Sequence, residues 1–132
     1  EAGSLVMDNG GVSREVEWSE ILGCEKCCVP DTDAKFAGYQ GCSITSLLGG
    51  GEENGTECSV TGVIKAGDGM EFGPIEFEQL KTGILMHSDA GGDALKQGGP
   101  LRAWFPPEAG LKCSSGNNLS IKDVRSVTLK RT

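Results

Sequence analysis

The sequence predicts a single α+β domain, mostly β, with short mixed strands and two or three short helices. Only 37% of the 132 residues are hydrophobic, and the 21 glycines indicate many turns between short elements. Several short runs either alternate in polarity or are continuously apolar, as half-buried and buried strands do. Neither an internal repeat nor a linker-like segment interrupts the sequence, so we expect residues 1–132 to form one domain.

The N-terminal residues predict a β-hairpin followed by one helical turn. Residues 4–7 form a short apolar run, residues 8–11 (Asp-Asn-Gly-Gly) favour a tight turn, and residues 12–18 alternate as a second strand. Ser19 is suited to cap a short helix, which we expect to end at Gly23.

The next segment predicts a loop and then a short helix. Residues 24–34 show no periodicity and contain a proline and two aspartates, which is typical of a loop. Residues 42–48 predict a short helix with Ser43 as its cap, and the three glycines at 49–51 would end it.

A second hairpin and a further helix are predicted in the middle of the chain. Residues 57–65 alternate as a strand, residues 67–69 (Gly-Asp-Gly) form the turn, and residues 70–72 return. Pro74 is expected to begin a helix, since proline is favoured at the first helical position, and Gly83 is expected to end it.

The C-terminal half predicts three more strands separated by two polar loops. The strands are expected at residues 84–86, 101–105 and 121–129, and the last of these presents one apolar face. The intervening residues 87–97 and 106–118 are rich in glycine and polar side chains, so both are predicted as loops.

Charge is distributed unevenly along the chain. The net charge is −7, but residues 1–93 carry −12 and residues 94–132 carry +5. A basic C-terminal third is suited to a small anionic ligand. A nucleic-acid partner is not expected, because no basic patch is interleaved with aromatic residues. No membrane contact is expected, because no apolar run approaches the roughly 20 residues of a spanning helix.

Six cysteines are too few for a disulfide scaffold in a chain of this length. We therefore expect reduced thiols and an intracellular, cytoplasmic location. Cys24, Cys27 and Cys28 form a CxxCC sequence that resembles part of a zinc site or a thiol-redox motif. A tetrahedral zinc site needs four ligands, and His87 is the only histidine in the chain.

Three blocks of sequence resemble one known family. Residues 36–48 read Phe-Ala-Gly-Tyr-Gln-Gly-Cys-Ser-Ile-Thr-Ser-Leu-Leu, and residues 84–106 contain Ile-Leu-Met-His-Ser and then Gln-Gly-Gly-Pro-Leu-Arg-Ala-Trp-Phe-Pro. Residues 118–129 read Asn-Leu-Ser-Ile-Lys-Asp-Val-Arg-Ser-Val-Thr-Leu. In this order the blocks resemble the molybdopterin-binding domain of sulfite-oxidase-type oxidoreductases. This resemblance implies a β-rich α+β fold for the chain.

The resemblance also implies a set of anion-binding residues. In that family, the arginine of the Gly-Gly-Pro-Leu-Arg turn and a Ser-x-Lys segment help to hold the pterin and its phosphate. The resemblance implies the same roles for Arg102, Ser120, Ile121 (through its backbone) and Lys122, with Gly98 and Gly99 in the turn. The chemistry fits a phosphate, which favours a guanidinium fork, an ammonium group and hydroxyl or N–H donors.

Departures from the family pattern bear on the function. Gln97 stands where the family has a histidine, and the family's N-terminal cofactor-binding block has no counterpart in these residues. The metal-ligating cysteine would have to be Cys24, Cys27 or Cys28. We therefore expect a non-catalytic domain without a cofactor that binds a small anionic ligand or a protein. The alternatives are a molybdopterin-dependent oxidoreductase with a cysteine metal ligand, and a zinc or thiol-redox module built on the CxxCC loop.

Overall fold

Two five-stranded sheets form the framework of the protein. The structure, a computed structural model, describes residues 5–8, 13–33, 35–48, 60–95, 99–111 and 119–131. In chain order its strands are β1 (Leu5–Asp8), β2 (Ser13–Val16), β3 (Cys27–Cys28), β4 (Gln40–Ser43), β5 (Val60–Ala66), β6 (Glu71–Glu76), β7 (Ile84–Ser88), β8 (Arg102–Trp104), β9 (Ser120–Ile121) and β10 (Val124–Arg131). The predicted fold class, α+β and mostly β, is confirmed.

Helices contribute little to the described residues. The two α-helices are α1 (Trp18–Leu22) and α2 (Phe77–Leu80), and single 3₁₀ turns lie at Thr45–Leu48 and Pro107–Ala109. None of the helices in this part of the chain has the length and apolar character required to cross a membrane.

The first sheet has the strand order β2-β1-β10-β5-β6, and the second has the order β3-β4-β7-β8-β9. Both predicted hairpins are confirmed: β1 pairs antiparallel with β2, and β5 with β6. The first hairpin's turn, residues 9–12, lies outside the described residues. β1 also pairs parallel with β10, which joins the two ends of the chain in one sheet. Every other strand pair is antiparallel.

The predicted closing strand at residues 121–129 is in fact two strands in different sheets. Ile121 pairs with Ala103 in the second sheet, whereas the residues from Val124 onward pair with β5 in the first. The chain bends between them at Asp123, whose φ is 54°. A register shift after Val124 then lets both Val124 and Val127 point into the core.

The core has two parts because the second sheet is covered on both faces. Its inner face packs on the first sheet through the larger cluster of buried residues, which includes Leu5, Ile64, Leu85, Ala103, Phe105, Ile121 and Val127. Its outer face carries a smaller cluster of Val29, Phe36, Ile84, Met86 and Trp104. All five residues of β7 are buried as a result.

The helix predicted between Pro74 and Gly83 is wrong over most of its length. Pro74 lies inside β6, where Ile75 pairs with Gly62, and only Phe77–Leu80 is helical. Burial of the Ile75 side chain and the ladder bonds to β5 outweigh the preference of proline for a helix start. The helix instead begins after Glu76, whose side chain and that of Gln79 form a reciprocal capping box.

Two other assignments differ from the prediction. Cys42 and Ser43 belong to β4 rather than to a helix, and only Thr45–Leu48 forms a 3₁₀ turn. In the predicted loop at 24–34, Cys27–Cys28 pairs with β4 as a two-residue edge strand. Both differences arise because pairing with a distant strand stabilises segments whose local sequence shows no strand periodicity.

Candidate functional site

The outer face of the second sheet holds a buried arginine. Arg102 is only 7% exposed, and it alternates with Ala103 so that it lies on the same face as Trp104. Its partner across the ladder is Met86 of β7, a member of the smaller core cluster. Arginine is seldom buried to this extent without a carboxylate beside it.

The Arg102 guanidinium is oriented by two neighbours. Its Nε donates a hydrogen bond to Ser120 Oγ at 2.8 Å, and its Cζ lies 4.8 Å from the centre of the Phe36 ring. Burial lowers the pKa of Arg102 below its usual value and Tyr39 opposes this, yet an arginine stays charged at neutral pH. Among the residues that the structure describes, no carboxylate forms an ion pair with Arg102.

Asp33 holds the loop that covers this arginine. Its Oδ1 accepts hydrogen bonds from the backbone N–H groups of Lys35 at 2.9 Å and Phe36 at 2.7 Å. Its Oδ2 accepts one from the indole Nε1 of Trp104 at 2.8 Å. One carboxylate therefore fixes the Phe36 ring over the guanidinium and fastens the loop to β8.

The protonation of Asp33 should make stability depend on pH. Burial alone would raise the pKa of the Asp33 carboxyl, but hydrogen bonds from Phe36, Trp104 and Lys35 outweigh it and the pKa lies below its usual value. The stability from this carboxylate is complete above its unfolded pKa, about 3.9, and is lost as the pH falls through the lower folded pKa.

We expect Asp33→Asn to lower the free energy of unfolding by about 1–3 kcal/mol at pH 7, because the amide nitrogen cannot accept the Trp104 bond. At pH 3 the difference from the wild type should be smaller. Urea unfolding at both pH values measures this, with the exposed Asp31→Asn as the matched control. An equal loss for Asp33→Asn at both pH values would contradict the assigned role of the carboxylate.

The structure brings together two of the residues predicted to hold an anion. Arg102 and Ser120 are hydrogen-bonded on the outer face. The Ile121 side chain packs in the larger core cluster on the opposite face, and its backbone is part of the ladder between β8 and β9. Lys122 is exposed just beyond the end of β9. Gly99 is half-buried before Pro100, and Gly98 and Gln97 lie outside the described residues.

The CxxCC cysteines occupy three different environments. Cys24 forms a disulfide with Cys42, so the expectation of reduced thiols is wrong for this pair. Cys27 packs against the smaller core cluster, and Cys28 is exposed. Cys24, Cys27 and Cys28 therefore do not form the predicted metal-ligand set, because Cys24 is bonded to Cys42 and the side chains of Cys27 and Cys28 alternate to opposite faces of β3.

A sulfur–histidine cluster lies on the inner side of the same sheet and consists of Cys24, Cys42 and His87. Their ligand atoms all lie within 4.8 Å of one another, and both Cys42 and His87 are buried. The Nδ1 atom of His87 lies 2.7 Å from Ser88 Oγ. Burial lowers the pKa of His87; a backbone hydrogen bond opposes this shift and the charge of Lys26 adds to it.

An open depression also lies beside the turn between β5 and β6. Its lining includes Lys65, Asp68 and Arg125. Arg125 Nε is already 2.9 Å from Asp123 Oδ1, so the charge in this depression is balanced by a neighbour. An anion would therefore gain less electrostatic stabilisation in this depression than beside Arg102 on the outer face.

Sequence reasoning missed the residues that come from distant parts of the chain. Asp33 and Phe36 reach Arg102 and Trp104 across about 70 residues of sequence, and the local signal for this was a single aspartate in a loop. The approach of Cys42 to His87 was missed because residues 42–48 were predicted as a helix, which hid the pairing of β4 with β7.

Comparison with known proteins identifies no relative of this chain. No protein-family model matches the sequence, and no curated protein or solved structure is significantly similar to it. The resemblance to the sulfite-oxidase-type molybdopterin domain therefore stays a prediction that rests on the sequence blocks alone.

Proposed function

We propose that this protein is a non-catalytic binding domain that holds a small anion, through a carboxylate or phosphate group, on Arg102. The observation that carries the proposal is a buried guanidinium for which the described residues provide no carboxylate. An uncompensated buried charge is costly, so a group of opposite charge beside it is strongly favoured.

The guanidinium is prepared for such a ligand. Arg102 Nε donates its hydrogen bond to Ser120, and the Phe36 ring covers one face of the guanidinium plane. The two terminal guanidinium nitrogens make no hydrogen bond within the described part of the chain. These nitrogens are the fork that matches two oxygens of a carboxylate or phosphate. With Arg102 only 7% exposed, a compact anion fits better than a bulky one.

The charge distribution along the sequence is consistent with the same function. Residues 94–132 carry a net charge of +5 on an otherwise acidic chain, and Lys122 follows Ser120 by two residues. An acidic side chain of a partner protein offers the same carboxylate chemistry as a free anion.

The described residues provide only some of the groups that would bind a pterin cofactor. Arg102 and Ser120 would form one subsite for its phosphate. The thiol that packs on the same face, Cys27, belongs to β3, which is three strands away from β8, or about 14 Å at normal strand spacing. The donor set is thus that of an anion subsite rather than a metal centre.

Thermal unfolding in inorganic phosphate tests the proposal. Phosphate should raise the Tm of the wild type more than chloride does at equal ionic strength, because a bound anion stabilises the folded state. Arg102→Met retains a long side chain on Phe36 but removes the fork, so the phosphate-specific increase should disappear. Arg125→Met has the same change in charge and should retain the increase.

Each Tm shift is measured against the same variant without phosphate, which separates binding from any general destabilisation. Phosphate also stabilises proteins by exclusion from their surface, and this part of the shift should be equal in all variants. An equal shift in Arg102→Met and the wild type would overturn the proposal.

A further inference from the structure

We propose that reduction of the Cys24–Cys42 disulfide creates a metal site in which both thiolates and His87 bind one zinc-type divalent cation. This inference is independent of the anion site, which lies on the other face of the sheet. Sulfur and imidazole ligands together are the donor set that Zn²⁺ prefers.

The distances between the three ligand atoms suit a single ion. All three lie within 4.8 Å of one another. In a tetrahedral zinc site, two sulfurs lie about 3.8 Å apart and a sulfur and a nitrogen about 3.6 Å apart, as follows from Zn–S and Zn–N bonds of about 2.3 and 2.1 Å. After reduction, the two sulfurs must therefore move apart from their bonding distance to about 3.8 Å, while the imidazole nitrogen, at most 4.8 Å from either sulfur, must approach them.

The positions of the ligands in the fold allow this rearrangement. Cys42 and His87 lie on the paired strands β4 and β7, which fix their relative positions. Cys24 follows Gly23 at the end of α1, outside any helix or strand, so its backbone can adjust. It is half-buried, which leaves a route for an ion from solvent.

The neighbours of the ligands also suit a metal site. Ser88 Oγ lies 2.7 Å from His87 Nδ1 and can accept a hydrogen bond from its N–H; in that tautomer, Nε2 carries the lone pair that a metal needs. Histidine ligands in metal sites usually have such an outer hydrogen bond. The Sγ of Cys42 lies 3.0 Å from the carbonyl oxygen of Ile21, which would accept a hydrogen bond from the reduced thiol before metal binds.

The redox step requires an external two-electron reductant, such as a dithiol. Its thiolate attacks one sulfur of the disulfide, the bond between Cys24 and Cys42 breaks, and a second thiolate of the reductant completes the exchange. The reductant becomes a disulfide, and the two released sulfurs each take up a proton. Metal binding then returns both protons to solvent and leaves the fourth position of the ion for water.

Titration with Co²⁺ as a spectroscopic probe of the zinc site tests the inference. The protein is reduced with a phosphine, freed of reductant under anaerobic conditions and then titrated. We expect one Co²⁺ per chain, with visible absorption typical of tetrahedral thiolate coordination, and displacement of Co²⁺ by Zn²⁺. The oxidised protein should show no such absorption, because its two sulfurs are bonded to each other.

Variants identify the ligands. Cys24→Ser and His87→Gln should each weaken Co²⁺ binding at least tenfold, and Ser88→Ala should weaken it by about tenfold through the imidazole. Cys28→Ser and the double variant Cys58→Ser/Cys113→Ser are matched controls that should bind as the wild type does. Circular dichroism of each reduced variant confirms that it is folded, and the half-buried Cys24 is the substitution least expected to disturb the core.

Three outcomes would overturn the inference. The first is equal Co²⁺ binding by the oxidised and the reduced protein. The second is wild-type binding by folded Cys24→Ser or His87→Gln, since the assigned ligands would then not be used. The third is loss of binding in either control variant, which would place the metal on other thiols.

Discussion

Gly41→Ala is expected to lower the free energy of unfolding by about 3 kcal/mol or more. A Cβ atom at Gly41 would lie 2.1 Å from the carbonyl oxygen of Leu85 and 2.7 Å from the Cα of Met86. Both of these are backbone atoms of the fully buried β7, so they cannot move aside as the end of a flexible side chain would. The methyl group would force β4 and β7 apart.

Chemical denaturation of Gly41→Ala tests this expectation. The register of the β4–β7 pair shifts between Gln40 and Gly41, and the close backbone approach occurs at this irregularity. Gly91→Ala is the control, since its Cβ would meet only carboxylate oxygens at 3.6 and 3.9 Å in an exposed loop. We expect the control to change stability by less than about 0.5 kcal/mol. Similar stabilities for the two variants would show that β4 can move away from β7.

The sequence could predict the parts of the fold that depend on neighbouring residues. The β5–β6 hairpin follows from alternation on either side of Gly67-Asp68-Gly69, whose side chains and backbone suit a turn. β7 was predictable because it is an uninterrupted apolar run, although the strand also includes His87 and Ser88. Local chemistry determines these elements wherever it agrees with the tertiary contacts.

Pairing between distant segments could not be predicted. Pro74 has a strong local preference for a helix start. Ile75 and Glu76 nevertheless pair with β5, and this pairing places them in a strand. Residues 121–129 alternate well enough to suggest one strand, yet the bend at Asp123 divides them between two sheets. The parallel pairing of β1 with β10 joins segments about 120 residues apart, and no local pattern encodes it.

In the candidate sites too, contacts between segments predicted together were foreseeable from the sequence, whereas contacts with distant segments were not. The predicted neighbourhood of Arg102 and Ser120 agrees with the hydrogen bond between them on adjacent strands. Their covering residues, Asp33 and Phe36, come from a segment whose position depends on the packing of the outer face. A list of cysteines likewise gave no basis for choosing the Cys24–Cys42 pair, because six cysteines allow 15 pairings.

Reduction of the Cys24–Cys42 disulfide is expected to lower the free energy of unfolding by about 3 kcal/mol, in the absence of added metal. The bond closes a loop with a sequence separation of 18 residues, and opening it restores conformational freedom mainly to the unfolded chain. It also fastens the end of α1 to β4, whose Cys42 is fully buried in the larger core cluster. The loss should therefore appear as a lower denaturation midpoint of the reduced wild type.

The double variant Cys24→Ala/Cys42→Ala separates this disulfide from every other thiol in the chain. It should be less stable than the oxidised wild type, and reductant should have no further effect on it. Cys28→Ser, which removes an exposed thiol, should respond to reductant as the wild type does. If reductant still destabilised the double variant, another disulfide would be responsible for the effect. If reductant left the denaturation midpoint of the wild type unchanged, the expected stabilisation through the unfolded chain would be contradicted.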